Sequence, residues 1–193
     1  MARTAGRSAS DTRRVVFDAA SVVFRTRGMA ATLDDVAQEA GLSKGGVIYH
    51  FPSKDHLMTA LAQSLLEDFR ESVYRCLDPA DDRPGRLTRA YVRASLAEAE
   101  FRAAHDAYTL ITQLITSPAV AEVAREDASR WRDELDADGL PHAVMSLVVA
   151  AADGASVAPL WGSVISDAEN ERLAEQLIAL TLDPAGWAGA VTS

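Results

Sequence analysis

Apolar residues in the first fifty positions recur at helical spacings and are punctuated by glycine. Val16, Ala20, Val23 and Phe24 share one face of a helix beginning at about Asp11, and Gly28 stands where a left-handed residue usually closes a helix. Thr32, with Asp35 three residues on, gives a capping-box-like start to a short second helix. Leu33, Val36, Ala37 and Ala40 form its inner face, and Gly41 stops it. Ser43 caps a third helix in which Val47 and Phe51 point inward at i, i+4. Pro52-Ser53 breaks the chain. A long fourth helix then runs from Lys54 to about Arg75, with Leu57, Leu61, Leu65, Phe69 and Val73 repeating every four residues. Beyond the turn-rich segment LDPADDRPG (77–85), helical patterns cover 86–102, 105–116, 118–136, 140–160 and 167–182. Breakers separate them at Ser117-Pro118, Asp138-Gly139 and Trp161-Gly162, and Pro184 ends the last. No strand pattern and no fixed-period repeat interrupts this series, so the expected fold is all-α with about nine helices.

The charge distribution changes the picture. The net charge of the 193 residues is −9, which by itself argues against nucleic acid. Residues 1–54, however, hold eight basic side chains (Arg3, Arg7, Arg13, Arg14, Arg25, Arg27, Lys44, Lys54) against five acidic ones (Asp11, Asp18, Asp34, Asp35, Glu39), a balance of +3. The rest carries eleven basic and twenty-three acidic residues, or −12. A basic head on an acidic body implies two tasks, one of them facing phosphate. The expected division is a flexible basic tail over 1–10, a head over 11–54 and a helical body over 55–193. The single cysteine, Cys76, excludes a disulfide scaffold and a multi-thiolate zinc site. The start of the chain lacks a secretory pattern, and the longest apolar run, Val144 to Leu160, is too short and broken to span a bilayer. A cytoplasmic protein without membrane partners is the expectation.

Chemistry concentrates in Thr32–Lys54, TLDDVAQEAGLSKGGVIYHFPSK. Two short helices joined by the tight Ala40-Gly41-Leu42-Ser43 turn have the layout of a helix-turn-helix, whose second helix enters the major groove. Gly45 and Gly46 at its tip remove side chains and allow the backbone close to the groove floor. The candidate DNA contacts are Thr32, Ser43, Lys44, Gly45, Gly46, Tyr49, His50 and Lys54. Tyr49 and His50 can donate to phosphate, and Lys44 and Lys54 supply charges expected to face solvent. Each residue type also has an ordinary role: Thr32 and Ser43 as helix caps, lone lysines as solvated charges, His50 as a packed ring.

This segment resembles the TetR family of bacterial transcriptional regulators. The resemblance runs from Val16 through Leu57. It is carried by Val16-Phe17-Asp18-Ala19-Ala20, Phe24 and Gly28, then by Thr32, Val36-Ala37, Ala40-Gly41-Leu42-Ser43, Lys44-Gly45 and Phe51-Pro52-Ser53-Lys54. Two positions depart from the family pattern. Ile48 stands where many members carry Tyr, so the aromatic phosphate contacts fall to Tyr49 and His50. Gly46 stands in place of the usual Thr, removing a hydroxyl.

The resemblance implies a regulator, most simply a repressor, that binds a palindromic double-stranded operator as a homodimer and is released by a small molecule. An activator or a ligand-independent regulator is the alternative. A helical protein-interaction module would need neither the +3 head nor the glycine tip. The resemblance also implies dimerisation through the last two long helices, where Leu147, Val148, Ala151, Ala155 and Ala158 precede Leu173, Leu177, Ile178 and Leu180. It implies an effector pocket in the body too, for which Phe101, Tyr108, Leu114, Trp131 and Met145 are candidates, each equally at home in a core. No nucleophile elbow, P-loop, dinucleotide fingerprint or zinc motif is present, so neither an enzyme nor a cofactor or metal is expected.

Overall fold

The computed structural model describes residues 8–96, 107, 109–160 and 162–185. The expected tail falls largely outside them. Every regular element among the described residues is helical. The helices are α1 (Ala9–Arg27), α2 (Leu33–Glu39), α3 (Lys44–His50), α4 (Lys54–Arg75), α5 (Arg86–Leu96), α6 (described over 109–114), α7 (Pro118–Asp136), α8 (His142–Val157) and α9 (Asp167–Leu182). Short 3₁₀ turns follow α1 at Gly28–Ala30 and α8 at Ala158–Leu160. No helix among the described residues is long and apolar enough to cross a membrane.

Local chemistry sets the helix ends. Ser8, Thr32 and Ser166 each form a reciprocal capping box, with Asp11, Asp35 and Glu169 respectively. The pattern predicts a single helix over 140–160, but the observed one is shorter at both ends. Pro141 forces Leu140 out of the helical region, and Pro159 offers no N–H to continue the ladder, so the last turn tightens into the 3₁₀ segment.

The chain forms two compact units, residues 1–65 with 109–124 and residues 66–108 with 125–193. This division differs from the expected boundary at 54/55. The first half of α4 buries Leu57, Met58, Leu61 and Ala62 in the core of the first unit, and Leu110, Leu114 and Val120 complete that same core. Its other members are Val16, Ala20, Phe24, Val36, Val47 and Phe51, the inward faces of α1–α3. Fully burying one such side chain is worth about 1.5–3 kcal/mol, so this shared core fixes the angles between α1 and the short α2 and α3, seven residues each and too small to stand alone.

The second unit has two apolar clusters. One gathers Val73, Tyr91, Trp131, Leu135, Leu140 and Met145, and the other gathers Val92, Leu96, Val144, Val148, Ala152 and Leu177. Buried arginines brace it. Arg70 donates to Glu134 (2.8 Å) and Asp127 (2.8 Å), and its guanidinium lies 4.0 Å from the Trp131 ring centroid. Asp138 accepts from the backbone N–H groups of Leu87 (3.0 Å) and Thr88 (2.8 Å), capping α5 from a distant loop.

Candidate nucleic-acid interface

The α2–α3 turn is built by backbone hydrogen bonds. Leu42 N–H donates to Ala37 O (2.9 Å) and Gly41 N–H to Gln38 O (3.2 Å), the paired closure of a Schellman motif. That closure needs a left-handed residue, and Gly41 supplies it at φ 63°. Ser43 Oγ then accepts from Gly46 N–H (3.1 Å) and starts α3. Behind α3, Val47 and Phe51 are wholly buried, and the Phe51 ring sits 5.3 Å from that of Phe17. Arg13 lies over Phe51 at 4.7 Å, so a basic residue of α1 is held by stacking on the residue that closes α3.

The eight candidate contacts lie in one segment of the first unit, but not all are free. Tyr49 is 84% exposed. A Cβ built on Gly45 meets nothing within 4 Å, so this face of α3 is open. At Gly46 a Cβ would come within 3.3 Å of the Ser43 capping hydroxyl, which gives that glycine a local reason beyond DNA. Thr32 uses its hydroxyl and N–H on Asp35 (2.7 and 2.9 Å). These two bonds, with the Arg27 guanidinium beside it, hold the Asp35 carboxyl below its ordinary value. Lys44 Nζ pairs with Asp34 at 2.7 Å, both side chains exposed. His50 is half-buried, its ring edge-on to Tyr49 with centroids 5.1 Å apart.

Lys54 requires a correction. It is not a free solvent-facing charge: it is half-buried, and Nζ donates to the Met29 carbonyl in the turn after α1. This contact spans 25 positions and joins the start of α4 to the end of α1, so no local sequence pattern announces it. The same holds for the pairing of Lys44 with Asp34, ten residues upstream.

The two lysines should therefore respond differently to truncation. Lys44→Ala is expected to leave stability within about 0.5 kcal/mol, since exposed pairs contribute little. Lys54→Ala is expected to cost about 0.5–1.5 kcal/mol through the lost hydrogen bond to the Met29 carbonyl. Urea denaturation of the two variants checks this, and equal stability would show that the Met29 contact is energetically silent.

The effector-pocket candidates are dispersed. Leu114 is fully buried in the core of the first unit. Trp131 and Met145 share a core cluster of the second. One Trp131 face carries Arg70, and its ring meets Tyr91 and Phe69 at centroid distances of 5.2 and 6.1 Å. Phe101 and Tyr108 lie outside the described residues. A cleft of about 220 Å³ in the second unit is lined instead by Arg83, Pro84, Gly139, Leu140, Pro141, Thr181, Leu182 and Pro184. It is smaller than a typical ligand pocket of ~300–1,000 Å³.

A head with a tight helix-turn-helix and a glycine-tipped second helix, followed by an all-helical body, defines a helix-turn-helix protein of regulator type. Two family models agree. The one for "Bacterial regulatory proteins, tetR family" matches residues 16–61, and the one for "Tetracyclin repressor-like, C-terminal domain" matches residues 85–182. The chain belongs to the TetR family, whose members are transcriptional regulators rather than enzymes. Over 65 residues it is 40% identical to the HTH-type transcriptional regulator SrpR of Pseudomonas putida, covering 33% of this chain and 30% of that one. It thus spans about a third of the length of SrpR. It is 27% identical over 154 residues to the HTH-type transcriptional repressor KstR2 of Rhodococcus jostii (strain RHA1), covering 70% and 74% of the two chains. Among solved structures it is similar to the multidrug binding protein EbrR complexed with imidazole. That match has a TM-score of 0.62 and 28% identity, and covers 88% of this chain and 94% of that one.

Proposed function

We propose that this chain is a cytoplasmic transcriptional repressor. It binds a palindromic operator as a homodimer, through α3 in the major groove, and is released by a small apolar or amphipathic molecule. The observation that carries the DNA-binding reading is the open outer face of α3, held against a fully packed core by a turn that only Gly41 permits. Thr32, Ser43, Lys44, Gly45, Gly46, Tyr49, His50 and Lys54 form the proposed contact set. Lys44 exchanges Asp34 for phosphate on binding, and Lys54 combines a phosphate contact with its hold on Met29. Selection of genomic fragments by the purified protein tests this reading: one enriched inverted repeat is expected, and a featureless mixture would contradict it.

The dimer reading rests on α8 and α9, which pack together around Val148, Ala152 and Leu177 while Leu147, Ala150 and Gly154 remain exposed along one face of α8. Small residues allow close helix approach, and a two-fold interface would set two copies of α3 on two half-sites. Sedimentation at micromolar concentration should give twice the 20.6 kDa chain mass, and a single species at the chain mass would contradict the interface.

The effector reading is supported by the description of EbrR as multidrug-binding. A molecule that binds the body is expected to weaken operator affinity by a factor of about 5–150, the range of ordinary allosteric couplings. Unchanged operator affinity in its presence would remove that molecule as the effector.

A further inference from the structure

We propose that α3 recognises its DNA site mainly through thymine methyl groups packed against Ile48 and the Tyr49 ring, rather than through bidentate hydrogen bonds to purines. The inference rests on the DNA-binding reading above and names what that interface reads.

The seven residues of α3 are KGGVIYH. They include no Arg, Asn, Gln, Asp or Glu, the side chains whose paired or directed polar atoms separate guanine, adenine and cytosine in the major groove. Of those that are present, Val47 is wholly buried. His50 is half-buried between the rings of Tyr49 and Phe51. Lys44 at the leading edge, paired with Asp34 in the free protein, is taken up by phosphate in the reading above. The positions left facing outward are Gly45, Ile48 and Tyr49, which at i, i+3, i+4 share one face.

That face has a definite chemistry. Ile48 is 38% exposed and Tyr49 84%, and Gly45 adds no side chain between them and an approaching surface. A branched aliphatic group beside an aromatic ring is an apolar surface with a single polar atom, the phenol oxygen. Among the base-edge groups on the floor of the major groove, the apolar one is the thymine C5-methyl. Burying that methyl against Ile48 removes apolar area from water on both partners, whereas a guanine or cytosine edge there would lose hydration without gaining a hydrogen bond. The glycines permit an approach close enough for van der Waals contact. The packed backing of Val47 and Phe51 keeps the helix from retreating.

The test removes methyl groups from the DNA and leaves the protein intact. Affinity is measured for a duplex selected by the full chain, then for duplexes in which deoxyuridine replaces thymine at one symmetric pair of positions at a time. At one or more positions per half-site the loss of the methyl is expected to weaken binding about fourfold per methyl, the value for burying one such group. Ile48→Ala should bind the methylated and demethylated duplexes equally at that position, with an unchanged salt dependence, since no charge is removed. Uniform affinity for every deoxyuridine duplex would overturn the inference while leaving DNA binding in place, as would a selected half-site without thymine. Failure of the chain to bind or enrich any duplex would overturn both.

Discussion

Arg89→Met is expected to destabilise the second unit by about 3–5 kcal/mol, the cost of leaving a buried charge without its partner. Arg89 is 1% exposed, and Nε and Nη2 donate to the two oxygens of Asp81 at 2.6 and 2.9 Å. Nη1 donates to Pro84 O (2.9 Å) and Thr181 Oγ1 (3.1 Å), and Nη2 also donates to Arg83 O (3.0 Å). One guanidinium thus ties the loop before α5 to α9, with every donor satisfied. Methionine fills similar volume but removes both guanidinium bonds from the Asp81 carboxylate, 7% exposed, leaving it the Arg83 backbone N–H at 3.3 Å and the exposed Arg83 guanidinium at 3.7 Å. Adding Asp81→Asn should recover part of the loss, because the uncompensated charge goes with it.

The bonds from Arg89 hold the Asp81 carboxyl below its ordinary value. A lowered carboxyl value contributes stability above the unfolded value, near 3.9, and that stability disappears as pH falls through the folded value. The wild type should therefore lose this contribution only below about pH 4. Arg89→Met should already lack it at neutral pH. Urea denaturation between pH 3 and 7, in round numbers, reads both effects. A loss under about 1 kcal/mol at pH 7 would show that water reaches Asp81 and replaces the guanidinium.

Gly45→Leu is expected to abolish operator-specific binding while leaving weak, salt-sensitive association with any duplex. The substitution should fold normally, since a Cβ there meets no neighbour and Gly45 does not need a positive φ. The stability change should stay within about 1 kcal/mol and favour the variant, because leucine is the better helix former. On DNA the added isobutyl group stands between the α3 backbone and the groove floor. Specific sites are typically bound ~10³–10⁷-fold more tightly than random duplex, and this margin is what the variant should lose. Lys44→Ala acts through charge instead: in a dimer it should lower the slope of log K against log salt by about two, with affinity for all sequences reduced alike. A Gly45→Leu protein with full operator preference would remove α3 from the major groove.

Much of the fold was legible because its punctuation is local. α4, α7 and α9 begin and end where the breakers and caps predict, at Lys54–Arg75, Pro118–Asp136 and Asp167–Leu182. Ser43, Gly41 and Thr32 announce the helix-turn-helix because a cap or a left-handed residue is a one-residue event. What the sequence could not reveal is which core a periodic apolar residue joins. Leu114 has the spacing of any inward residue, yet it packs with Val16 and Phe24 rather than with Trp131. Partners far apart in the chain were equally silent: Lys54 with Met29, Arg70 with Glu134, Arg89 with Thr181. Each of these is a polar contact between two positions that carry no local signal of one another. Trp131 is one such case, since its ring carries the Arg70 guanidinium at 4.0 Å from the centroid.

Binding of duplex DNA by the basic head through α3 is read out by salt-dependent affinity. Binding of the full chain to its selected duplex and to a scrambled duplex of the same composition is measured by fluorescence anisotropy across roughly 50–200 mM salt. The structure predicts a linear fall of log K with log salt for both duplexes. The selected duplex should be bound at least about a thousandfold more tightly by the wild type, and with no preference by Gly45→Leu. Equal affinity of the wild type for the two duplexes, or no binding at the lowest salt, would contradict it.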